Sequence, residues 1–128
     1  MKSKVVSSAE AIAIIRDGDT VACSGFVGCG TPEELIGALE KRFVETGGPR
    51  DLTLMFAAAP GDGKQGGLNR LALDGLIKRT IGGHYGLVPK LAEMAMRHRR
   101  NLLPSDIIRR LPIREEDQRA FQCSYAMS

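Results

Sequence analysis

Membrane spans, a strong charge excess and metal-ligand cysteine patterns are all missing from this sequence. No apolar run approaches the roughly 20 residues that cross a bilayer. The N-terminal stretch has no small-residue cleavage site of the secretory kind. The formal net charge of +3 is too weak to indicate a nucleic-acid partner. The three cysteines have no metal-ligand spacing, and their odd number fits reduced thiols. We therefore expect a soluble, cytoplasmic protein without a metal site.

Glycine and lysine both disappear towards the C-terminus. All 15 glycines lie between Gly18 and Gly86, and no lysine follows Lys90. Seven of the twelve arginines, by contrast, lie between Arg97 and Arg119. We therefore divide the chain into an α/β domain over residues 1–98 and an arginine-rich tail over residues 99–128. Two interpretations of the tail remain open: a solvated, partly helical extension, or sequence that arose from a frameshift or gene truncation.

What the sequence does contain is short strands alternating with helices. At 128 residues it has room for one core, and 43% hydrophobic with 26% charged residues is typical of a globular protein. Hydrophobic periodicity and turn residues predict strands and helices in strict alternation. The strands are Thr20–Ser24, Leu52–Ala58 and Arg79–Ile81; the helices are Ser8–Asp17, Pro32–Thr46, Leu68–Ile77 and Pro89–His98. This order predicts an α/β fold with an open, mainly parallel sheet and flanking helices, apparently incomplete.

A glycine cluster follows each predicted strand, at residues 25–30, 61–67 and 82–86. In an open parallel sheet such loops share the edge formed by the carboxyl ends of the strands, which is where ligands bind. Asp62 and Gln65 are polar residues of the second cluster that could reach a ligand there. Three glycine-rich turns at one edge indicate a binding site more strongly than any one of them alone.

Two helices begin with the sequence of a capping box. Ser7 and Glu10 have this spacing before the first helix, and Thr31 and Glu34 have it before the second, with Pro32 at the first helical position. The first glycine cluster would then lead directly into a helix N-terminus, which suits a negative oxygen. Glu33 and Glu34 would repel a full phosphate, however, and the glycines match neither common nucleotide-binding pattern. A carbonyl or carboxylate ligand and a plain strand-to-helix turn both remain open.

The segment DGDTVACSGFVGCGTP resembles the N-terminal motif of family I coenzyme A transferases. That motif runs D-G-x-x, three small apolar residues, G-G-F, three residues of any kind, and G-x-P. Cys23 and Ser24 depart from it mildly, and the matching positions are Asp17, Gly18, Gly25, Phe26, Gly30 and Pro32. The segments KRFVETGGPRDLTL, PGDGKQGG and GLIKRTIGGHYGLVPKLAEMAM resemble the acetate/propionate CoA-transferase branch. The resemblance extends over about residues 3–98.

The resemblance implies an exchange of CoA between an acyl-CoA and a free carboxylic acid such as acetate or propionate. A glutamate carboxylate attacks the thioester in that family, from a motif of the S-E-N-G kind in the second half of the chain. Nothing similar occurs here, and Glu115 and Glu116 lie in a charged run without glycine. We therefore assign no catalytic residue, and expect the isolated chain to be inactive. The resemblance implies that a CoA thioester is a substrate, and it indicates no bound cofactor.

The same resemblance implies that the glycine loops face the substrate. Backbone N–H groups of the first loop would contact the carboxylate or acyl group, Phe26 would cover the acyl chain, and CoA would be held largely by a missing half. His84 could instead have a structural role in its turn. The candidate substrate-binding residues are Gly25, Phe26, Gly28, Gly30, Gly82, Gly83 and His84. Two alternatives stay open: an assembly subunit that needs a separate catalytic half, or a non-functional remnant of a broken gene. A homo-oligomer is also left open.

Overall fold

The computed structural model describes residues 4–98, and the tail with Glu115 and Glu116 lies outside the described residues. In chain order the elements are helix α1 (Ser8–Ile12), strand β1 (Thr20–Phe26), helix α2 (Glu33–Thr46), strand β2 (Leu52–Ala58), a 3₁₀ helix (Leu68–Leu71), strand β3 (Ile77–Gly82) and helix α3 (Pro89–His98). None of the helices in this part of the chain is long and apolar enough to span a membrane.

The three strands form one parallel sheet in the order β1-β2-β3. Cys23 lies opposite Phe56, and Phe56 lies opposite Gly82, so the ends of all three strands reach the same edge. The predicted open parallel α/β fold is confirmed. The glycine clusters after β1, β2 and β3 consequently leave the sheet from one side.

The core lies on one face of this sheet. Leu54 of β2 is completely buried, and Phe56 is nearly so. Around them pack buried residues of the flanking helices: Ile36, Leu39, Leu91 and Met94. Successive residues of a strand point to opposite faces, and the residues that alternate with the core positions are exposed: Ala22, Ser24, Met55 and Ala57.

Helix α1 is shorter than predicted. Ser7 and Glu10 do form the capping box, with the Glu10 N–H donating to Ser7 Oγ over 3.3 Å. The helix ends at Ile12 rather than Asp17. Arg42 of α2 donates to the Ile12 carbonyl at this end and to the Ile15 carbonyl just beyond it, at 2.7 and 3.0 Å.

The capping box predicted at Thr31 is wrong. Helix α2 begins at Glu33, and its N-cap residue Pro32 offers no side-chain acceptor. The Thr31 hydroxyl donates instead to the Val27 carbonyl at 3.0 Å, which closes the first glycine loop upon itself. Glu34 accepts from the Ser8 hydroxyl of α1. Neither the Thr31 nor the Glu34 side chain therefore caps the N-terminus of α2; each binds another segment.

The helix predicted over Leu68–Ile77 is also wrong. Only the 3₁₀ helix Leu68–Leu71 forms: Ala72, with φ −74° and ψ 61°, leaves the helical conformation, and Gly75 then adopts a left-handed φ of 90°. The Leu76 carbonyl then accepts from the Leu52 N–H at 2.8 Å, and Ile77 begins β3. Leu68, Leu71 and Leu76 are all buried, so this segment packs into the core without a longer helix.

Candidate functional site

The first glycine loop (residues 25–30) is built around a tight two-residue turn. The Phe26 N–H donates to the Cys29 carbonyl at 3.0 Å, and the Cys29 N–H donates to the Phe26 carbonyl at 2.9 Å. Val27 and Gly28 form the turn itself, and Val27 has a positive φ of 56°. The Cys29 thiol is exposed, as its loop position predicts, and Cys23 in β1 is half-buried.

Close packing fixes Gly25 at the base of this loop. A Cβ atom added there would lie 2.6 Å from Thr31 Oγ1 and 3.1 Å from Pro60 Cβ. Pro60 immediately precedes the second glycine loop (residues 61–67), so the two loops meet at this point. Gly25 therefore has a packing role whether or not it contacts a substrate.

Asp62 occupies the backbone donors of the second glycine loop. Its Oδ1 atom accepts from the N–H groups of Lys64 at 2.8 Å and Gly66 at 2.9 Å. These hydrogen bonds lower the pKa of Asp62, with the Lys64 contribution largest and desolvation opposing it. The N–H groups of Lys64 and Gly66, which a substrate anion could have used, are thus already bound by a carboxylate of the chain.

An ionic network holds the second glycine loop against α2. Glu33 accepts from the Gly67 N–H at 2.9 Å and from Arg70 Nε at 2.7 Å. Arg70 also pairs with Glu40 through Nη1 at 3.0 Å. The bonds to Glu33 and then Glu40 raise the pKa of Arg70, so its charge is fixed in the network.

Asn69 connects the second glycine loop to α3. It is only 2% exposed, yet each of its polar side-chain atoms has a partner. Its Nδ2 donates to the carbonyls of Gly66 and Leu87, both at 3.0 Å, and its Oδ1 accepts from the Lys90 N–H at 3.1 Å. Buried polar groups satisfied in this way fix the relative positions of the segments that they join.

A cavity of about 620 Å³ opens between the first and second glycine loops. Its walls carry the carboxylates of Glu33, Glu40 and Asp62 and the cations of Arg70 and Lys90. Arg70 is paired with two carboxylates, whereas Lys90 Nζ has a 3.4 Å contact with Gln65 Oε1. The apolar part of the wall consists of Val27, Ala72 and Leu73. Within residues 4–98, no group of three or more His, Cys, Asp or Glu side chains could hold a metal ion.

The structure brings only part of the predicted site to this cavity. Gly28 lines it, as do Asp62 and Gln65. Gly25, Phe26 and Gly30 belong to the same loop without lining the cavity, and Phe26 is 62% exposed. The cluster of Gly82, Gly83 and His84 lies at the same sheet edge but outside the cavity wall. Substrate contacts of all these residues stay a prediction.

Packing accounts for two residues of the third cluster. A Cβ atom on Gly82 would overlap the Phe56 ring. His84 Nδ1 accepts from the Gly86 N–H at 3.2 Å, which agrees with the structural alternative for this histidine. Sequence reasoning missed Val27, Glu33, Asn69 and Arg70 as parts of the site. Val27 adjoins a predicted residue. Asn69 and Arg70 are assigned by sequence to a helix over Leu68–Ile77, which gives no reason to expect them at the site.

We expect the second glycine loop to loosen at low pH. The folded pKa of Asp62 lies below the unfolded value of about 3.9, so its hydrogen bonds stabilise the fold above that pH and are lost as the pH falls through the folded pKa. The stability difference between the parent chain and Asp62→Ala should therefore shrink from pH 7 to pH 3 in urea unfolding. The neighbouring variant Gln65→Ala serves as control and should show no such change. A pKa of Asp62 at or above 3.9 in an NMR titration would contradict this account.

The relatives of this chain are CoA-transferases. A sequence profile of the family Coenzyme A transferase matches residues 5–107, slightly beyond the expected end at residue 98. The chain is 39% identical over 84 residues to caffeate CoA-transferase of Acetobacterium woodii, covering 66% of this chain and 16% of that protein. It is 34% identical over 90 residues to acetate CoA-transferase subunit alpha of Escherichia coli K12, covering 70% and 38%.

A solved structure agrees with these relatives. The crystal structure of the acyl-CoA transferase YdiF apoenzyme from Escherichia coli O157:H7 superposes with a TM-score of 0.67 at 31% identity. The superposition covers 73% of this chain and 18% of YdiF. This chain thus spans well under half the length of each of these relatives. By sequence profile, by identity and by fold, it belongs to the coenzyme A transferase family.

Proposed function

We propose that this chain is the N-terminal part of an acyl-CoA:carboxylate CoA-transferase that acts on short-chain acids such as acetate or propionate. In this proposal the glycine loops contact the substrate, and another stretch of polypeptide contributes the nucleophilic glutamate. The supporting observation is the cavity between two glycine loops at the carboxyl edge of a parallel sheet, where α/β proteins bind ligands. Acetate is named among the substrates of a relative, and propionate follows from the sequence resemblance.

The carboxylates around the cavity support the need for an external nucleophile. Attack on a thioester requires a carboxylate oxygen with a free lone pair directed at the carbonyl carbon. Glu33 accepts from Arg70 and from a backbone N–H, and Glu40 is paired with the same arginine. Asp62 accepts from two backbone N–H groups, which lower its pKa and weaken it as a nucleophile. Each of the three carboxylates therefore stabilises the fold through these contacts.

One observation favours a second candidate function, an assembly subunit. A relative from Escherichia coli is called subunit alpha, so in that protein the work is divided between chains. A non-functional remnant is the third alternative. These alternatives differ in whether activity returns when the rest of the enzyme is supplied.

The first test is transfer by the isolated chain. We expect no propionyl-CoA and acetate exchange above the uncatalysed rate, because Glu33, Glu40 and Asp62 are each held by hydrogen bonds or ion pairs of the fold. The measurement is chromatographic detection of acetyl-CoA formation. Robust turnover by the 128-residue chain would refute the proposed division of labour.

A chimera provides the complementary test. Residues 5–98 replace the matching segment of YdiF, which restores the missing polypeptide around this cavity. We expect CoA transfer to a short-chain acid at a readily measured rate. A folded chimera without transfer activity would favour the remnant, and unmodified YdiF is the positive control.

A further inference from the structure

Val27 has a backbone conformation that its side chain disfavours. A β-branched residue with a positive φ is a genuine outlier, and here φ is 56°. Two-residue turns that need a positive φ at their first position normally carry glycine there. This turn has its glycine second, at Gly28, where φ is not positive and a Cβ atom would meet nothing within 4 Å. The order Val-Gly therefore opposes the local conformational preference.

Val27 is part of the wall of the candidate site. Val27 lines the cavity and is 42% exposed, so it is not held in place by burial in the core. Strained residues persist where the surrounding structure over-determines them, and they cluster at ligand sites. Here the two hydrogen bonds between Phe26 and Cys29 and the Thr31 hydroxyl on the Val27 carbonyl fix the turn.

The chemistry of the cavity indicates which part of a ligand Val27 would meet. Most of the cavity wall carries ionic and amide groups such as Glu33, Gln65 and Lys90, and its apolar surface comes from Val27, Ala72 and Leu73. An alkyl group gains free energy only where it removes apolar surface from water. Val27 offers such a branched apolar surface on the first glycine loop, whereas a glycine at this position would offer none.

We propose that Val27 is a specificity-determining residue that packs against the alkyl chain of the substrate acyl group. This inference rests on the proposed function, and it assigns to Val27 the contact that the sequence had suggested for Phe26. The alternative is that the turn merely tolerates valine. The two differ in what Val27→Gly does, because glycine relieves the backbone strain and removes the side chain in one step.

The test uses the full 128-residue chain with acetate, propionate and butyrate as probes in methyl and amide NMR titrations. We expect the Val27 methyl signals to shift on saturation. Each added methylene should lower the dissociation constant about fourfold. In Val27→Gly the melting temperature should rise or stay unchanged, while the preference among the three acids should fall clearly below that of the parent chain, with Ala72 and Leu73 supplying the apolar surface that remains. Val27→Ile should retain the preference, and Val44→Ala, in an exposed valine of α2 away from the cavity, should change neither property.

The outcomes separate this inference from the proposed function. If the acids shift signals of residues 61–67 but Val27→Gly keeps the chain-length preference, Val27 is not the specificity residue and the proposed function is unaffected. If no cavity residue shifts with any acid, the Val27 contact is refuted. CoA transfer by the YdiF chimera then decides the proposed function independently.

Discussion

Gly67→Ala should destabilise the fold by about 3 kcal/mol or more, which combines backbone strain with a steric overlap that cannot relax. Gly67 has φ 60° and ψ −140°, a conformation almost confined to glycine. A Cβ atom there would overlap the Pro60 carbonyl oxygen and lie 2.7 Å from the Gly61 Cα. Both are backbone atoms, so no side-chain rotation relieves the contact. Urea unfolding followed by circular dichroism would measure the loss.

Gly63→Ala is the matched control for this prediction. Gly63 belongs to the same loop and has a positive φ of 73°, but an added Cβ atom would meet nothing within 4 Å. Its cost should be confined to the left-handed conformation, about 1–2 kcal/mol. Equal losses for the two variants would show that the steric overlap with Pro60 and Gly61 adds nothing to the cost of Gly67→Ala.

Gly82→Ala should be the second large effect, at about 2–3 kcal/mol. Its Cβ atom would overlap the Phe56 ring, whose Cδ2 would lie 2.8 Å away. Phe56 cannot easily retreat, because it is 4% exposed and packs edge-to-face on Tyr85 with the ring centroids 5.6 Å apart. The same unfolding experiment measures this loss. Gly86→Ala, whose Cβ would have only an ordinary 3.4 Å contact with His84, should cost far less.

A double mutant tests whether contact with the Phe56 ring causes the stability loss at Gly82. Phe56→Leu makes room beside Gly82, so the combination with Gly82→Ala should cost less than the sum of the two single variants. Residues in contact typically couple by about 0.5–3 kcal/mol. Additive losses would mean that the Phe56 ring does not limit residue 82.

The parallel sheet and the glycine-rich edge could be predicted from sequence because their signals are local. Leu52–Ala58 is an apolar run between turn residues, and its strand has the predicted bounds. Thr31 shows where a local signal fails: a capping box needs its side-chain oxygen to accept from a helix N–H, but its hydroxyl donates to the nearby Val27 carbonyl and no side-chain cap forms. The helix predicted over Leu68–Ile77 is another such case: Ala72 leaves the helical conformation with a ψ of 61°, and Gly75 follows with a left-handed φ.

The candidate site was harder to predict because long-range contacts build it. Asp62 and Gln65 could be expected at a ligand from their place in a glycine cluster, and both line the cavity. The pair between Arg70 and Glu33 joins residues 37 positions apart, and Asn69 reaches Lys90 across 21. No periodicity or turn rule links such positions. They become visible only when the chain has folded.

The strand order has a consequence for how this fold can be extended. β2 has a neighbour on both sides, whereas within residues 4–98 β1 and β3 each pair on one side only. The outer N–H and C=O groups of each flanking strand can therefore template a further strand. Addition on either flank would widen the sheet and lengthen the row of loops at its carboxyl end. The cavity beside β1 and β2 would then have additional loops next to it.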